Sequence, residues 1–149
     1  MIVNRGKLLN SRPVWPMYET KQTSGGVSFG MSEAGYDIRI KQDVVLHPFK
    51  RFALASTIER FQLDKYLTGI VHDKSTWARR GLSVLNTVIE PGWKGYLTLE
   101  LVYHGWGILR IPPGSGIAQV IFHEIMCPAL YTGKYQDQPD RPVEAINSL

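Results

Sequence analysis

An all-β domain, either a barrel or a sandwich, is what this sequence predicts, and three observations carry the prediction. Its apolar runs are short and rich in β-branched residues: Val44-Val45-Leu46, Leu97 to Tyr103, Ile108 to Ile111 and Ile117 to Ile125. Fourteen glycines and nine prolines punctuate the chain, with turn clusters about every eight to twelve residues, the spacing of strands joined by turns. Residues 96–103 alternate, with Tyr96, Thr98, Glu100 and Val102 on one face and Leu97, Leu99, Leu101 and Tyr103 on the other. That period of two belongs to a strand with one buried face.

Taken in order, the first 30 residues hold Pro13, Pro16 and Ser24-Gly25-Gly26, and read as a loosely structured lead-in with an edge strand. Ala34 to Ile40 is a glycine-led strand carrying Asp37 and Arg39, two charges that could form an internal ion pair. Residues 59–68 place Phe61, Leu63 and Tyr66 at mixed spacing, a weak helical pattern. Asp73 to Arg80 reads as a short helix with Asp73 or Ser75 as N-cap. Pro112-Pro113-Gly114-Ser115-Gly116 is a strong turn between two strands. From about Tyr131 the chain is polar and carries Pro139 and Pro142, the composition of a flexible arm. No internal repeat or long linker divides the 149 residues, so a single domain over 1–149 is expected.

Composition narrows the function. Seventeen basic against thirteen acidic residues give a net charge of +4, which suits an anionic ligand such as a triphosphate. The cations form no block, so nucleic acid has no specific support. The lone Cys127 excludes an internal disulfide and a cysteine-built zinc cluster; among Ile125, Met126 and Pro128 it reads as an inert packed thiol. No apolar run approaches about 18 residues, and no charged-then-apolar leader is present, so no membrane partner and an intracellular, cytoplasmic location are expected.

Four segments could carry chemistry. Lys74, Ser75 and Arg79 bring two cations and a hydroxyl to the start of the expected short helix. Unpaired N–H groups there favour phosphate, and an arginine fork can hold phosphate or a catalytic water; a capped, solvated helix start explains them equally. No G-x-x-x-x-G-K-[ST] loop is present. Val88 to Tyr96 forms a tight turn leading into the strand of Glu100. Glu100 either points to solvent on the polar face or lies half-buried with a raised pKa suited to proton transfer. Gln119 interrupts an apolar strand, where a buried amide must pair with backbone or read a ligand.

The order of these segments is more specific than any one of them. Gly-Tyr-Asp-Ile-Arg at 35–39, Lys-Ser-Thr-x-Ala-Arg-x-Gly-Leu at 74–82, Ile-Glu-Pro-Gly-Trp-x-Gly at 89–95 and Gly-x-x-Ile-Ala-Gln-x-Ile-Phe at 114–122 resemble the successive motifs of the trimeric dUTPase/dCTP-deaminase superfamily. Pro-Gly-Trp, the following Leu-Glu-Leu and the tail Lys134-Tyr135-Gln136-Asp137-Gln138 look more like its deaminase branch, and the glycine-rich arm of dUTPases is missing. The resemblance implies a distorted β-barrel of jelly-roll kind with one or two short helices, a homotrimer with active sites between subunits, and zinc-free deamination of dCTP to dUTP. By motif, Glu100 would be the general acid/base, Ser75 and Arg79 would place the water and the developing charge, and Arg79 would help hold Glu100. Lys74 and Ser75 would approach the phosphates; Glu90 and the backbone from Asn86 to Ile89 would bind deoxyribose and base. Gln119, Lys134 and Gln138 would grip the triphosphate, which would carry its own Mg2+ rather than a protein-bound one.

Some positions depart from the family pattern. Asp73 stands where glycine is usual, Trp77 where an aliphatic residue is expected, and Glu90 where aspartate is usual. Since the matching aspartate activates water in dUTPases, Glu90 leaves a dUTP diphosphatase, or a bifunctional enzyme giving dUMP, as the alternative. A non-catalytic nucleotide sensor on the same scaffold is a further one, and Glu100, Ser75 and Arg79 together weigh against it. The chain is shorter than a typical free-standing deaminase, which suggests trimmed loops or a compact viral type.

Overall fold

A computed structural model describes residues 1–147. The N-terminal stretch is more ordered than its composition suggests. It forms β1 (Ile2–Val3), α1 (Arg5–Ser11), β2 (Val14–Trp15), β3 (Gln22–Ser24) and β4 (Val27–Met31). The helix escaped sequence reading because its seven residues, Arg-Gly-Lys-Leu-Leu-Asn-Ser, bury only Leu8 fully and show no repeat of a periodic face. The expected edge strand is real: β3 ends its sheet.

Then follow β5 (Tyr36–Arg39), β6 (Val44–Leu46), β7 (Phe52–Gln62), β8 (Leu67–Asp73), α2 (Ser75–Ala78), β9 (Leu82–Val84) and β10 (Val88–Ile89). The chain finishes its regular structure with β11 (Lys94–Tyr103), β12 (Leu109–Ile111) and β13 (Gly116–Glu124). The weak helical pattern over 59–68 is therefore overturned. Phe61 and Leu63 sit two apart because β7 runs through Gln62, and the chain turns at Asp64, whose carboxylate accepts from the Tyr66 N–H at 2.9 Å. The short helix expected over 73–80 is a single turn; Lys74 precedes it without a side-chain cap.

The strands make curled antiparallel sheets, the all-β barrel architecture expected. One sheet runs β10-β8-β13-β5-β4-β3, with β1 also paired to β13; a second runs β2-β7-β11-β9; β12 and β6 form a third pair. A bridge between Ile40 and Thr57, and the Lys41 N–H donating to Ser56 at 2.9 Å, join the first sheet to the second. The inward faces enclose one core that includes Tyr36, Ile38, Phe61, Trp77, Leu99, Leu101, Ile117 and Phe122. Trp77 explains its own departure from the aliphatic pattern: it is buried, and its indole N–H donates to the Gly116 carbonyl at 2.7 Å, fastening α2 to β13.

The charged pair expected within β5 is not one. Arg39 instead meets Glu59 of β7 twice, through Nε at 2.7 Å and its backbone N–H at 2.9 Å, with the guanidinium against the rings of Tyr18 and Phe29, which contact each other edge to face. Glu59 is fully buried, and that burial pushes its carboxyl above the usual range against the donors of Arg39. Cys127 is also corrected: it is exposed, beside a fully exposed Met126, because the chain leaves the sheet after Glu124.

Candidate active site

The long strand β11 builds one side of the site. Its alternation sends Leu97, Leu99, Leu101 and Tyr103 into the core, as the sequence predicts. Thr98 and Glu100, on the other face, line a cavity of about 620 Å³. Antiparallel pairing with β7 sets Leu54 opposite Glu100 and Phe52 opposite Val102, so Glu100 stands in an apolar floor. Burial pushes the Glu100 carboxyl above the usual carboxylate range; its own backbone N–H and the Thr87 hydroxyl pull the other way. A half-buried carboxyl with a raised pKa is suited to taking and returning a proton.

The segment between β9 and β10 covers that carboxyl and is pinned from both sides. The Leu85 N–H donates to the Glu100 carbonyl and the Val71 N–H donates to the Thr87 carbonyl, each at 3.0 Å. Ile89, Glu90 and Trp93 continue the wall. In the turn after Glu90, the Trp93 N–H returns to the Glu90 carbonyl at 3.1 Å.

The C-terminal arm forms the remaining wall. Composition predicts a flexible segment from Tyr131, and the structure lays it along the beginning of β11. Lys94 N–H donates to Gln136 Oε1 at 2.9 Å, Tyr96 N–H to the Gln138 carbonyl at 3.1 Å, and the Trp93 indole to the Tyr135 carbonyl at 2.7 Å. The glycines of the Pro-Gly-Trp-x-Gly turn permit this. Gly95, at φ 139°, faces Gln138 so closely that a Cβ there would lie 2.6 Å from the Gln138 nitrogen. Gly92, at φ 73°, likewise makes room for Leu130. Further on, Val143 N–H donates to Thr98 Oγ1 at 3.0 Å, bringing Val143, Glu144 and Ala145 into the cavity. Lys134 reaches the Ile146 carbonyl, and Tyr135 Oη accepts from the Ile146 N–H at 3.1 Å.

Of the residues singled out from sequence, the cavity brings together Glu100, Ile89, Glu90 and Gln138, the last accepting from Thr98 Oγ1 at 3.2 Å. It leaves out Ser75, Arg79, Lys74, Asn86, Gln119 and Lys134. Asn86 is exposed beside it. Within one chain Arg79 caps α2, with its N–H donating to the Ser75 carbonyl at 3.0 Å, and makes no hydrogen bond or ion pair with Glu100 among the described residues. Sequence reading passed over Phe52, Leu54 and Val143 to Ala145. Strand pairing alone reveals the first two and the returning arm the others.

Four of the residues left out of the cavity, Lys74, Ser75, Arg79 and Gln119, lie on or beside β8, α2 and β13. Lys74 Nζ lies 2.5 Å from the buried Asp37 carboxylate, and Gln119 of β13 pairs in register with Asp37 on one side and His72 on the other. Gln119 donates to Ser32 Oγ at 2.8 Å, so its amide meets a side chain rather than backbone. Ser75 and Arg79 are exposed at the adjoining turn. Asp73, in place of the usual glycine, turns its carboxylate to the Val84 N–H at 2.7 Å, which keeps it paired with the backbone of β9.

The two regions differ in charge. Among the described residues, the cavity is lined by the carboxylates of Glu90, Glu100 and Glu144 and by no lysine or arginine. No group of three or more His, Cys, Asp or Glu side chains that could hold a metal ion occurs among the described residues, and no helix among them is long and apolar enough to cross a membrane.

Residues 30–125 match the family described as dCTP deaminase-like. A dCTP deaminase of Sulfurovum sp. is 34% identical over 90% of this chain and 89% of its own length. A dCTP deaminase of Janthinobacterium sp. is 36% identical over 80% and 82%. Among solved structures, the dUTPase of phage phi11 of S. aureus superposes with a TM-score of 0.60 at 18% identity, covering 81% of this chain and 95% of that one. The native EIAV dUTPase superposes with a TM-score of 0.56 at 20% identity, over 69% and 85%. The structural likenesses speak for the fold.

Proposed function

The chain belongs to the dCTP deaminase-like family, and we propose that it converts dCTP and water to dUTP and ammonia, with Glu100 as the group that moves the protons. The observation that carries this reading is the half-buried Glu100 carboxyl, raised in pKa and set in an apolar floor beside room for a pyrimidine. A water deprotonated by Glu100 adds through oxygen to C4, and the proton passes to ring N3. The new hydroxyl then gives its proton, again by way of Glu100, to the exocyclic amine. The C4–N bond breaks, ammonia leaves, and the ring retains C4=O and N3–H. One carboxyl performs both transfers in sequence.

The charge of the cavity supports drawing the rest of the site from elsewhere. A triphosphate would be repelled by a wall bearing Glu90, Glu100 and Glu144 without a cation among them. Lys74, Ser75 and Arg79 lie on another face of the same chain, and we take them, with Gln119, to serve the cavity of a neighbouring copy in a homotrimer. In that assembly Ser75 and Arg79 place the water and stabilise charge at C4, while Lys74 and Gln119 meet phosphate. Lys134 and Gln138 contribute from the arm. Magnesium fits as an ion arriving on the triphosphate: Asp37, the carboxylate beside the cations, is already held by Lys74. Such an enzyme would work in the cytoplasm, on the deoxynucleotide pool.

A second reading is bifunctional conversion to dUMP, and the place of Glu90 in the same cavity favours it. Incubation with dCTP or dUTP and magnesium, with ammonia and pyrophosphate measured separately, decides between them. Ammonia without pyrophosphate is the expected result. Pyrophosphate from dUTP would establish the second activity, and its release without any ammonia from dCTP would overturn the deaminase reading.

A further inference from the structure

Thr87 stands beside Glu100 with a choice of acceptors. Its Oγ1 lies 3.4 Å from the Leu85 carbonyl and 3.5 Å from Glu100 Oε2. A hydroxyl carries one proton, so it can donate to one of these at a time. Both contacts are long, as hydrogen bonds at unliganded catalytic sites often are before substrate tightens them. The backbone around them is fixed: Val71 holds the Thr87 carbonyl and Glu100 itself accepts from Leu85, each at 3.0 Å. The hydroxyl is therefore the movable part of a rigid arrangement.

We propose that Thr87 is a positioning residue for the deamination, its hydroxyl turning between Leu85 and Glu100 as that carboxyl loses and gains a proton. With Glu100 ionised, Thr87 donates to it and aims the free lone pairs of the carboxylate at water. With Glu100 protonated, the acid donates to Thr87 Oγ1, and Thr87 turns its own proton to the Leu85 carbonyl. No bond to carbon or oxygen is made or broken at Thr87, and no proton leaves it. Each state of the base is thereby left with a satisfied partner, and the carboxyl keeps one orientation through both transfers.

The inference rests on Glu100 being the base, and its test separates the two ideas. Other titratable groups facing Glu100 across the cavity are Glu90 from the turn after β10 and Glu144, Tyr131 and Tyr135 from the arm; the facing β7 residues, Phe52 and Leu54, do not titrate. These are common to all variants, so the comparison between variants isolates Thr87. Thr87→Val and Thr87→Ala remove the donor, and the acid limb of kcat/KM for dCTP should move up by about 0.5 pH unit, because a donor to the ionised form is lost. Plateau kcat should fall about fivefold, the loss of one net hydrogen bond. Thr87→Ser should restore both. If the valine variant does not fold, the smaller alanine variant reads the same limb. An unmoved limb in either folded variant, or a serine variant no better than alanine, overturns the inference. Glu100→Gln is assayed alongside: retained turnover there overturns the base assignment itself, whereas an inactive Glu100→Gln with an unmoved Thr87 limb removes only the role of Thr87.

Discussion

The cavity around Glu100 and the cationic cluster at α2 belong to one chain and are built on opposite logic. Around Glu100, apolar side chains from β7, β10 and β11 raise the pKa of a carboxyl, and every charged group lining the cavity among the described residues is acidic. At α2, Lys74 neutralises a buried Asp37, while Ser75 and Arg79 point to solvent. The first region suits proton chemistry on a neutral base, but its carboxylates would repel phosphate. The second has the cations that phosphate would need, but its carboxylates, Asp37 and Asp73, are both engaged. A nucleoside triphosphate needs both, and that difference is the reason the proposed site draws on a second copy of the chain.

Substitutions in the two regions should differ in the size of their effects. The largest effect is expected from Glu100→Gln, which should lower kcat for dCTP about a thousandfold or more while nucleotide binding persists, as read by ammonia release and by calorimetric titration. Arg79→Ala should come next. It should reduce kcat/KM about a hundredfold, seen in steady-state kinetics, although Arg79 lies outside the cavity of its own chain. Trp77→Ala tests the support under the cationic cluster. It should destabilise the fold by about 3–5 kcal/mol in denaturant unfolding and weaken nucleotide binding in whatever fraction stays folded. Gly95→Ala strains a positive-φ position and pushes against Gln138. It should loosen the arm, visible as faster amide exchange at Gln138 and Val143 and a higher KM, with little change in kcat. The smallest effect is on pH. Because burial raises the Glu100 pKa and the ionised form is the base, kcat/KM should climb as pH rises through a value above the ordinary 4.5 of a free glutamate, and replacing Leu54 with a polar residue should move that limb down.

What could be read from sequence divides along the same line. The alternation of residues 96–103 made the face of Glu100 legible but left it open between a solvent-facing and a half-buried carboxylate. Its catalytic role was implied by the family resemblance, and a register shift between Tyr96 and Thr98 interrupts the period. The third motif was legible as a turn, but not the purpose of its glycines: Gly92 and Gly95 are shaped by Leu130 and Gln138, some 40 residues away, and no local pattern encodes that approach. Glu59 left a signal that was overlooked. It shares its strand face with Thr57 and Phe61, the inward set, so alternation alone places a carboxylate in the core and calls for a cation opposite. Arg39 supplies it from the neighbouring sheet, a pairing that topology rather than composition decides. The helix at Arg5–Ser11 was invisible for a different reason, since one fully buried leucine in two turns is no periodicity.

The separation of Glu100 from Arg79 has a genetic consequence. If each working site draws its carboxyl from one chain and its guanidinium from the next, a chain carrying Glu100→Gln and a chain carrying Arg79→Ala are each inactive for a different reason. Unfolded together and reassembled at equal dose, they would form mixed rings in which about a quarter of the sites inherit both intact halves. Two dead alleles would then restore about a quarter of normal activity, whereas a site confined to one chain would restore none.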